Sequence, residues 1–367
     1  MSFINKYLRN LKPYKLASHK IWAVKPQERA DILKLDWNEA TVAPSPKVDA
    51  RIRELLDGPG FFNLYPTTKN DRLLAAISAF IGLPEENVQY FGSSDVLHEY
   101  ICRSFLCEDD KVVVLGPSYD NFRLTCQSVG ADVVFFNYGR DFNFDAAAFE
   151  ACLAKEKPVM VYICNPNNPT GNYHTPEYVR HLLEAFPGTL FLLDEAYNEF
   201  AGPSSKDLVP EFGNIIVTRT LSKAFAMANF RIGYLLASEE NIAAIGKIRN
   251  PKNISTLSQE AAVAALEDAG YMWAYVDKVH EGQEYFVKET AKYAEHFRVF
   301  PSRGNFNLLR FGSKEEKVAL LRYLADNDIF VRETTQDPSV EYCFRVTMGT
   351  KEQMQRVVGV IDSFYKK

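Results

Sequence analysis

From residue 88 to residue 237 the chain repeats one theme, a short run apolar at nearly every position followed by a longer stretch, often with helical spacing. The runs are VQYF at 88–91, VVVL at 112–115, VVFF at 133–136, VMVYI at 159–163, LFLL at 190–193, IIV at 215–217 and IGYLLA at 232–237. A strand wetted on one face alternates polar and apolar residues, so runs that do not alternate need cover on both faces. Joined through helices, they predict an α/β fold with a mostly parallel sheet between helix layers. In DVLHEYICRSFL, Val96, Leu97, Tyr100, Ile101 and Phe105 recur at three-to-four spacing, and TPEYVRHLLEAF opens with Thr175 as N-cap and Pro176 in the first turn.

Past about residue 250 the order changes. A long helical stretch near 257–297, NFNLLRF at 305–311, a helix at about 314–326, IFVRE at 329–333, CFRVTM at 343–348 and a last helix at about 350–365 describe a smaller α+β unit. The expected division is an arm over 1–40 that contributes to the small unit or to a dimer contact, a large domain over 41–255 and a small domain over 256–367. No internal repeat or low-complexity segment interrupts it.

A formal charge of −5 with both signs interspersed argues against a nucleic-acid surface, which needs clustered Lys and Arg, and favours a small-molecule partner. The six cysteines form no CxxC pair and no metal-ligand spacing, so no metal site and no disulfide scaffold are expected. Reduced thiols, the lack of an apolar leader run and the lack of about 18 continuous apolar residues make a cytoplasmic protein without a membrane span the expectation.

Four short stretches carry chemistry. FGSSD at 91–95 joins a strand to a helix start, where unsatisfied N–H groups and the positive end of the helix dipole suit either a plain N-cap or a phosphate. CNPNNPTG at 164–171 crowds Asn, Pro and Gly onto the carboxyl end of a parallel strand, as a tight turn or as a ligand edge. LLDEAYNEF at 192–200 puts Asp194, Glu195 and Tyr197 at the end of a strand too apolar for a free carboxylate. RTLSKAFAMANFRIGY at 219–234 sets Lys223 between the hydroxyls of Thr220 and Ser222, with Arg231 eight places on. A surface lysine is the plain alternative; a desolvated one is a nucleophile toward an aldehyde, and arginine is a fork for phosphate. An anionic phosphate, an aldehyde, a ring cation seeking a carboxylate and a ring oxygen seeking Asn or Tyr are together met by pyridoxal 5'-phosphate.

With these motifs in this order the sequence resembles the fold-type I pyridoxal-phosphate-dependent aminotransferases, and among them the histidinol-phosphate aminotransferase group, over almost its whole length. The resemblance implies that Lys223 forms the Schiff base and moves the substrate proton, that Asp194 partners the pyridine nitrogen, and that Asn168 and Tyr197 bond the ring hydroxyl. It implies a phosphate cup of Thr220, Ser222, Arg231, Gly92 and the backbone of Ser93 and Ser94, with Tyr119 stacked on the ring. Tyr65 would reach the neighbouring subunit's phosphate, which requires a homodimer with shared sites. On the substrate side the resemblance points to Arg345 for the acidic end, Arg332 for a phosphate, and Tyr14 and Asn38 nearby. The implied activity moves an amino group between a donor such as glutamate and a 2-oxo or aldehyde acceptor, with histidinol phosphate as the family-level substrate. An amino-acid-phosphate decarboxylase of the same fold is the alternative, and a non-catalytic cofactor-binding protein a third. Three departures bear on the substrate: Ser94-Asp95-Val96 after Gly92-Ser93, Trp37 and Ala40-Thr41 around Asn38-Glu39, and Asn229 where a glycine is common.

Overall fold

Behind a short strand β1 (Leu33–Leu35), the apolar runs become one seven-stranded sheet in a computed structural model that describes residues 3–9, 11–13, 21, 24–25, 29, 31–58, 63–334 and 337–366. Its strands are β2 (Val88–Phe91), β3 (Lys111–Gly116), β4 (Asp132–Asn137), β5 (Met160–Cys164), β6 (Leu190–Asp194), β7 (Ile215–Thr220) and β8 (Gly233–Ala237). They lie in the order β2-β8-β7-β6-β5-β3-β4, and only β8 runs against the rest. A parallel return needs a crossover, usually a helix. Between β7 and β8 there is only a single 3-10 turn, Ala228–Phe230, so the chain doubles straight back and pairs antiparallel.

The central strands are as buried as their composition demands: every residue of β5, β7 and β8 is inside. VVFF is the exception. It forms β4 at the sheet's edge, exposed along one face, and Phe135 is 40% exposed, so the expected double cover does not extend to this run. The helix Ser94–Phe105 also differs from its apolar spacing. Its fully buried residues are Leu97, His98, Ile101 and Cys102, so the inward face includes a histidine that apolar periodicity does not count.

A second sheet, in the order β1-β11-β12-β10-β9, is built from β1 with β9 (Phe297–Val299), β10 (Phe306–Phe311), β11 (Ile329–Glu333) and β12 (Cys343–Thr347). Leu33–Leu35 pairs in parallel with Ile329–Val331, which ties the N-terminal segment to this sheet. The single long helix expected near 257–297 is two, Thr256–Leu266 and Ala269–Thr290. The break falls where Asp268 is drawn to the start of the helix Pro46–Asp57, bonding Ser45 and pairing with Lys47 at 3.2 Å. Thr256–Leu266, buried on most sides, packs against the helices Pro46–Asp57 and Asp71–Ile81, while Ala269–Thr290 packs against Lys351–Tyr365. Among the described residues no helix is long and apolar enough to cross a membrane, and no cluster of three or more His, Cys, Asp or Glu could hold a metal ion.

Candidate active site

The carboxyl ends of β5, β6 and β7 lie side by side, with Cys164 opposite Asp194 and Asp194 opposite Thr218. In an open parallel sheet this edge is where ligands bind. Here it floors a pocket of about 1180 Å³ that the small sheet's Arg332 and Arg345 wall on another side. The loop after β5 is held open by its own side chains. Asn167 donates to Pro117 O at 2.9 Å and accepts from Ser118 Oγ, also at 2.9 Å. Gly171, at φ +81°, sits where a Cβ would fall 2.5 Å from Ser302 Cβ, so only glycine permits this turn against the small unit.

Because β7 doubles back into β8, the loop between them brings Lys223 and Arg231 to the same pocket. Lys223 Nζ donates to Trp37 O at 2.8 Å and lies 5.7 Å from the Tyr197 ring centroid. Burial, and after it the positive charge of Arg345, pushes this amine down from its ordinary 10.5 to about 8. Near neutral pH it therefore gives up its proton far more readily than a surface lysine.

Next to it, the Thr220 and Ser222 hydroxyls are 2.9 Å apart, and Ser222 N–H donates to Thr220 Oγ1 at 3.1 Å. Arg231, half-exposed, lines the same pocket 3.4 Å from Asp95 Oδ2, while Tyr119 donates its hydroxyl to Asp95 Oδ1 at 2.9 Å. Ser93, at φ 104°, caps the helix Ser94–Phe105 by accepting Val96 N–H at 3.4 Å, so the N-cap role is real. Ser94 and Asp95 line the pocket, whereas Gly92 and Ser93 do not. The first strand residue of β8 packs directly against this helix start: a Cβ on Gly233 would come 2.8 Å from Ser94 N.

Asp194 is 4% exposed. Its Oδ2 accepts the Tyr162 hydroxyl at 2.8 Å and its Oδ1 accepts Ala196 N–H at 3.2 Å. Tyr197 OH takes two amide donors, Asn38 Nδ2 at 3.1 Å and Asn168 Nδ2 at 3.3 Å. Burial holds both phenols, Tyr162 and Tyr197, above their ordinary range.

Arg345 and Arg332 stand opposite each other on β12 and β11, inner strands of the small sheet rather than surface edges, and both are almost buried. Arg345 donates to Asn168 Oδ1 and to Asp36 O, the latter at 2.7 Å. Asn38 is fully buried and bonds Thr347 through both backbone and side chain.

Tyr65 lies apart from the pocket of its own chain, 81% exposed beneath the Lys252 ammonium, and Tyr14 and Trp22 lie outside the described residues. Sequence reasoning missed Lys34, which ion-pairs with Asp36 and Glu39 and sits 4.3 Å over the Trp37 ring at the pocket wall. It also missed Tyr162 and His98, which look like core residues of a strand and a helix. A polar residue on an otherwise apolar helix face was the available signal for His98.

These groups fit a phosphorylated pyridine aldehyde. A lysine held near 8, a buried carboxylate, a phenol with two amide donors, and hydroxyls with an arginine at a helix start are each of the type such a molecule needs. The aminotransferase class I and II sequence pattern matches residues 30–361.

This chain belongs to the class I and II aminotransferases.

Within that family it is 40% identical to a dihydroxyacetone phosphate transaminase of Campylobacter jejuni, with 99% of this chain and 97% of the relative covered. It is 32% identical to a histidinol-phosphate aminotransferase of Ruminiclostridium cellulolyticum, with 88% and 89% covered. Its fold superposes on a Sinorhizobium meliloti histidinol-phosphate aminotransferase in complex with pyridoxal-5'-phosphate with a TM-score of 0.85, at 27% identity and 99% of each chain. The fold is that of the fold-type I enzymes, and this aminotransferase is pyridoxal-phosphate-dependent and histidinol-phosphate-aminotransferase-like.

Proposed function

We propose that this aminotransferase passes an amino group from a donor such as glutamate to a small phosphorylated carbonyl compound, a ketone of the dihydroxyacetone phosphate kind ahead of the histidinol phosphate pair. The observation that carries the reading is the pair Arg332 and Arg345, opposed on inner strands and lining the same pocket as Lys223. Two nearly buried guanidinium groups suit an oxyanion-rich substrate, since arginine binds phosphate and carboxylate through paired N–H bonds. The whole-length likeness to a dihydroxyacetone phosphate transaminase favours the smaller acceptor.

When bound, pyridoxal phosphate supplies an aldehyde and an electron-withdrawing ring. In the proposed division of labour Lys223, as the neutral amine, would hold the cofactor through its aldehyde carbon and would carry the substrate's α-proton on Nζ. Asp194 keeps a proton on the ring nitrogen, and Asn168 and Tyr197 orient the ring hydroxyl. Tyr119 would cover the ring, while Thr220, Ser222, Arg231 and Ser94 at the helix start would hold the phosphate; Gly92 and Ser93, which do not line the pocket, are assigned to that cup by resemblance alone. Asn38 steadies Tyr197 and the small-sheet wall. Tyr65, exposed beside a 66%-exposed Leu64, is proposed to enter a second copy's pocket in a homodimer. Tyr14 is assigned to the substrate's phosphate by resemblance alone. A division into 1–40, 41–255 and 256–367 and a cytoplasmic location belong to the same proposal, the latter supported by six free thiols.

The test is a half-reaction. Holoenzyme converted by glutamate to the amino form of the cofactor is mixed with dihydroxyacetone phosphate or with dihydroxyacetone, and the return of the aldehyde-form absorbance is followed. The phosphorylated ketone is expected to win by at least about 100-fold in kcat/KM, the loss typical when charged hydrogen bonds go unmade. Equal rates would sink the phosphate claim, and carbon dioxide release from an amino-acid phosphate without formation of the amino cofactor would replace the transaminase with the decarboxylase.

A further inference from the structure

His98 lies on the helix Ser94–Phe105 and is wholly buried. Buried polar groups nearly always find a hydrogen-bond partner. Neither ring nitrogen of His98 has one among the described residues. Its ring stands edge-on against both Phe122 and Tyr162, with centroids 5.4 and 5.7 Å away. These two rings are themselves stacked 4.1 Å apart, so His98 has little freedom to turn elsewhere. Its Nε2 points to within 3.6 Å of Asp194 Oδ2, the oxygen that already accepts the Tyr162 hydroxyl at 2.8 Å. Asp194 lines the pocket but His98 and Tyr162 do not, so both approach the carboxylate from the side away from the ligand.

We propose that His98 is a positioning residue for the cofactor: its Nε2–H donates to Asp194 Oδ2 beside the Tyr162 hydroxyl, fixing the carboxylate's orientation and keeping the shared proton on the pyridine nitrogen. The proposal rests on Asp194 as the ring-nitrogen partner. An approach of roughly 0.6–0.8 Å brings the contact to ordinary hydrogen-bond length, which a small turn of the ring supplies. Each donor on the carboxylate draws negative charge from it, so the proton between carboxylate and nitrogen stays with the nitrogen. Without His98 only Tyr162 remains on Oδ2, and the proton moves toward oxygen. A ring that merely fills space would leave the proton where it was.

The experiment reconstitutes the holoenzyme with pyridoxal phosphate carrying nitrogen-15 in the ring and records the nitrogen resonance of wild type, His98→Leu, His98→Gln and Asp194→Asn. His98→Leu is expected to move the resonance toward unprotonated pyridine and to lower kcat about tenfold at unchanged KM, the scale of one hydrogen bond to a charged group. His98→Gln, whose amide nitrogen can stand in for Nε2, is expected to restore both. If His98→Leu does not fold, His98→Met fills the same space with an unbranched chain and takes its place. A folded, cofactor-loaded apolar variant with an unmoved resonance, alongside a moved one in Asp194→Asn, overturns the role of His98 alone. An unmoved resonance in Asp194→Asn overturns the Asp194 assignment beneath it.

Discussion

Lys223 can attack an aldehyde only after losing its proton, and its surroundings set when that happens. Burial and Arg345 bring it down to about 8, so below that pH the ammonium dominates and above it the free amine. Each pH unit below about 8 removes about nine-tenths of the reactive form. The rate at which apoprotein captures pyridoxal, which has no phosphate to titrate, is therefore expected to fall about tenfold per unit below 8 and to level off above it. Arg345→Met removes a neighbouring positive charge and should shift that inflection upward; an inflection near 10 in the wild type would contradict the burial argument. Lys223 was legible in the sequence because everything that marks it, Thr220, Ser222 and Arg231, lies in one contiguous stretch. His98 and Tyr162 were not legible, because their link to Asp194 runs between three elements and each alone looks like packing.

At the scale of elements, β6 and β7 do more than deliver Asp194 and Thr220 to the pocket. On the next positions Arg219 is buried between Glu195 and Glu199, at 2.9 and 2.8 Å, with its last nitrogen on Ser204 Oγ at 2.7 Å. The guanidinium neutralises two carboxylates inside the protein, although burial still leaves Glu199 above the ordinary range. Removing it strands both, which in buried ion pairs costs about 3–5 kcal/mol. Arg219→Met is expected to lose that much in urea unfolding of the apoprotein. The sign with pH follows from Glu199: burial already raises its affinity for protons above that of the unfolded chain, and losing Arg219 raises it further. The folded variant then binds more protons than the unfolded one, and the deficit should shrink as pH falls from 8 toward 5. A deficit independent of pH would mean that lost packing, not stranded charge, is responsible. Element positions were largely legible: 314–326 and 329–333 were expected where Lys314–Asp326 and Ile329–Glu333 are found. The break at Asp268 was not, because what ends the helix is Ser45 and Lys47, more than two hundred residues earlier.

For the whole molecule, the question is whether one chain makes a complete site. The pocket gathers both sheets and the N-terminal strand, yet Tyr65, the one cofactor residue assigned to a neighbour, stands outside it at 81% exposure. Such sharing would be a contact between copies, and mixing two inactive variants tests it. In a homodimer with crossed tyrosines, Lys223→Ala chains lack the amine in both sites and Tyr65→Ala chains lack the phosphate hydroxyl in both. A mixed dimer has one site with both defects and one with neither, because the intact lysine of the Tyr65→Ala chain receives the intact tyrosine of its partner. Unfolding and refolding an equimolar mixture puts about half of the molecules in mixed dimers, by random pairing of equal dimers. Each carries one wild-type site, so the mixture should recover about a quarter of wild-type activity per chain, with the cofactor affinity of that fraction returned to the wild-type value. If Tyr65 served its own chain instead, the lysine-bearing site would lack its tyrosine in every pairing. The mixture would then never exceed the Tyr65→Ala parent, and the shared site would have to be abandoned.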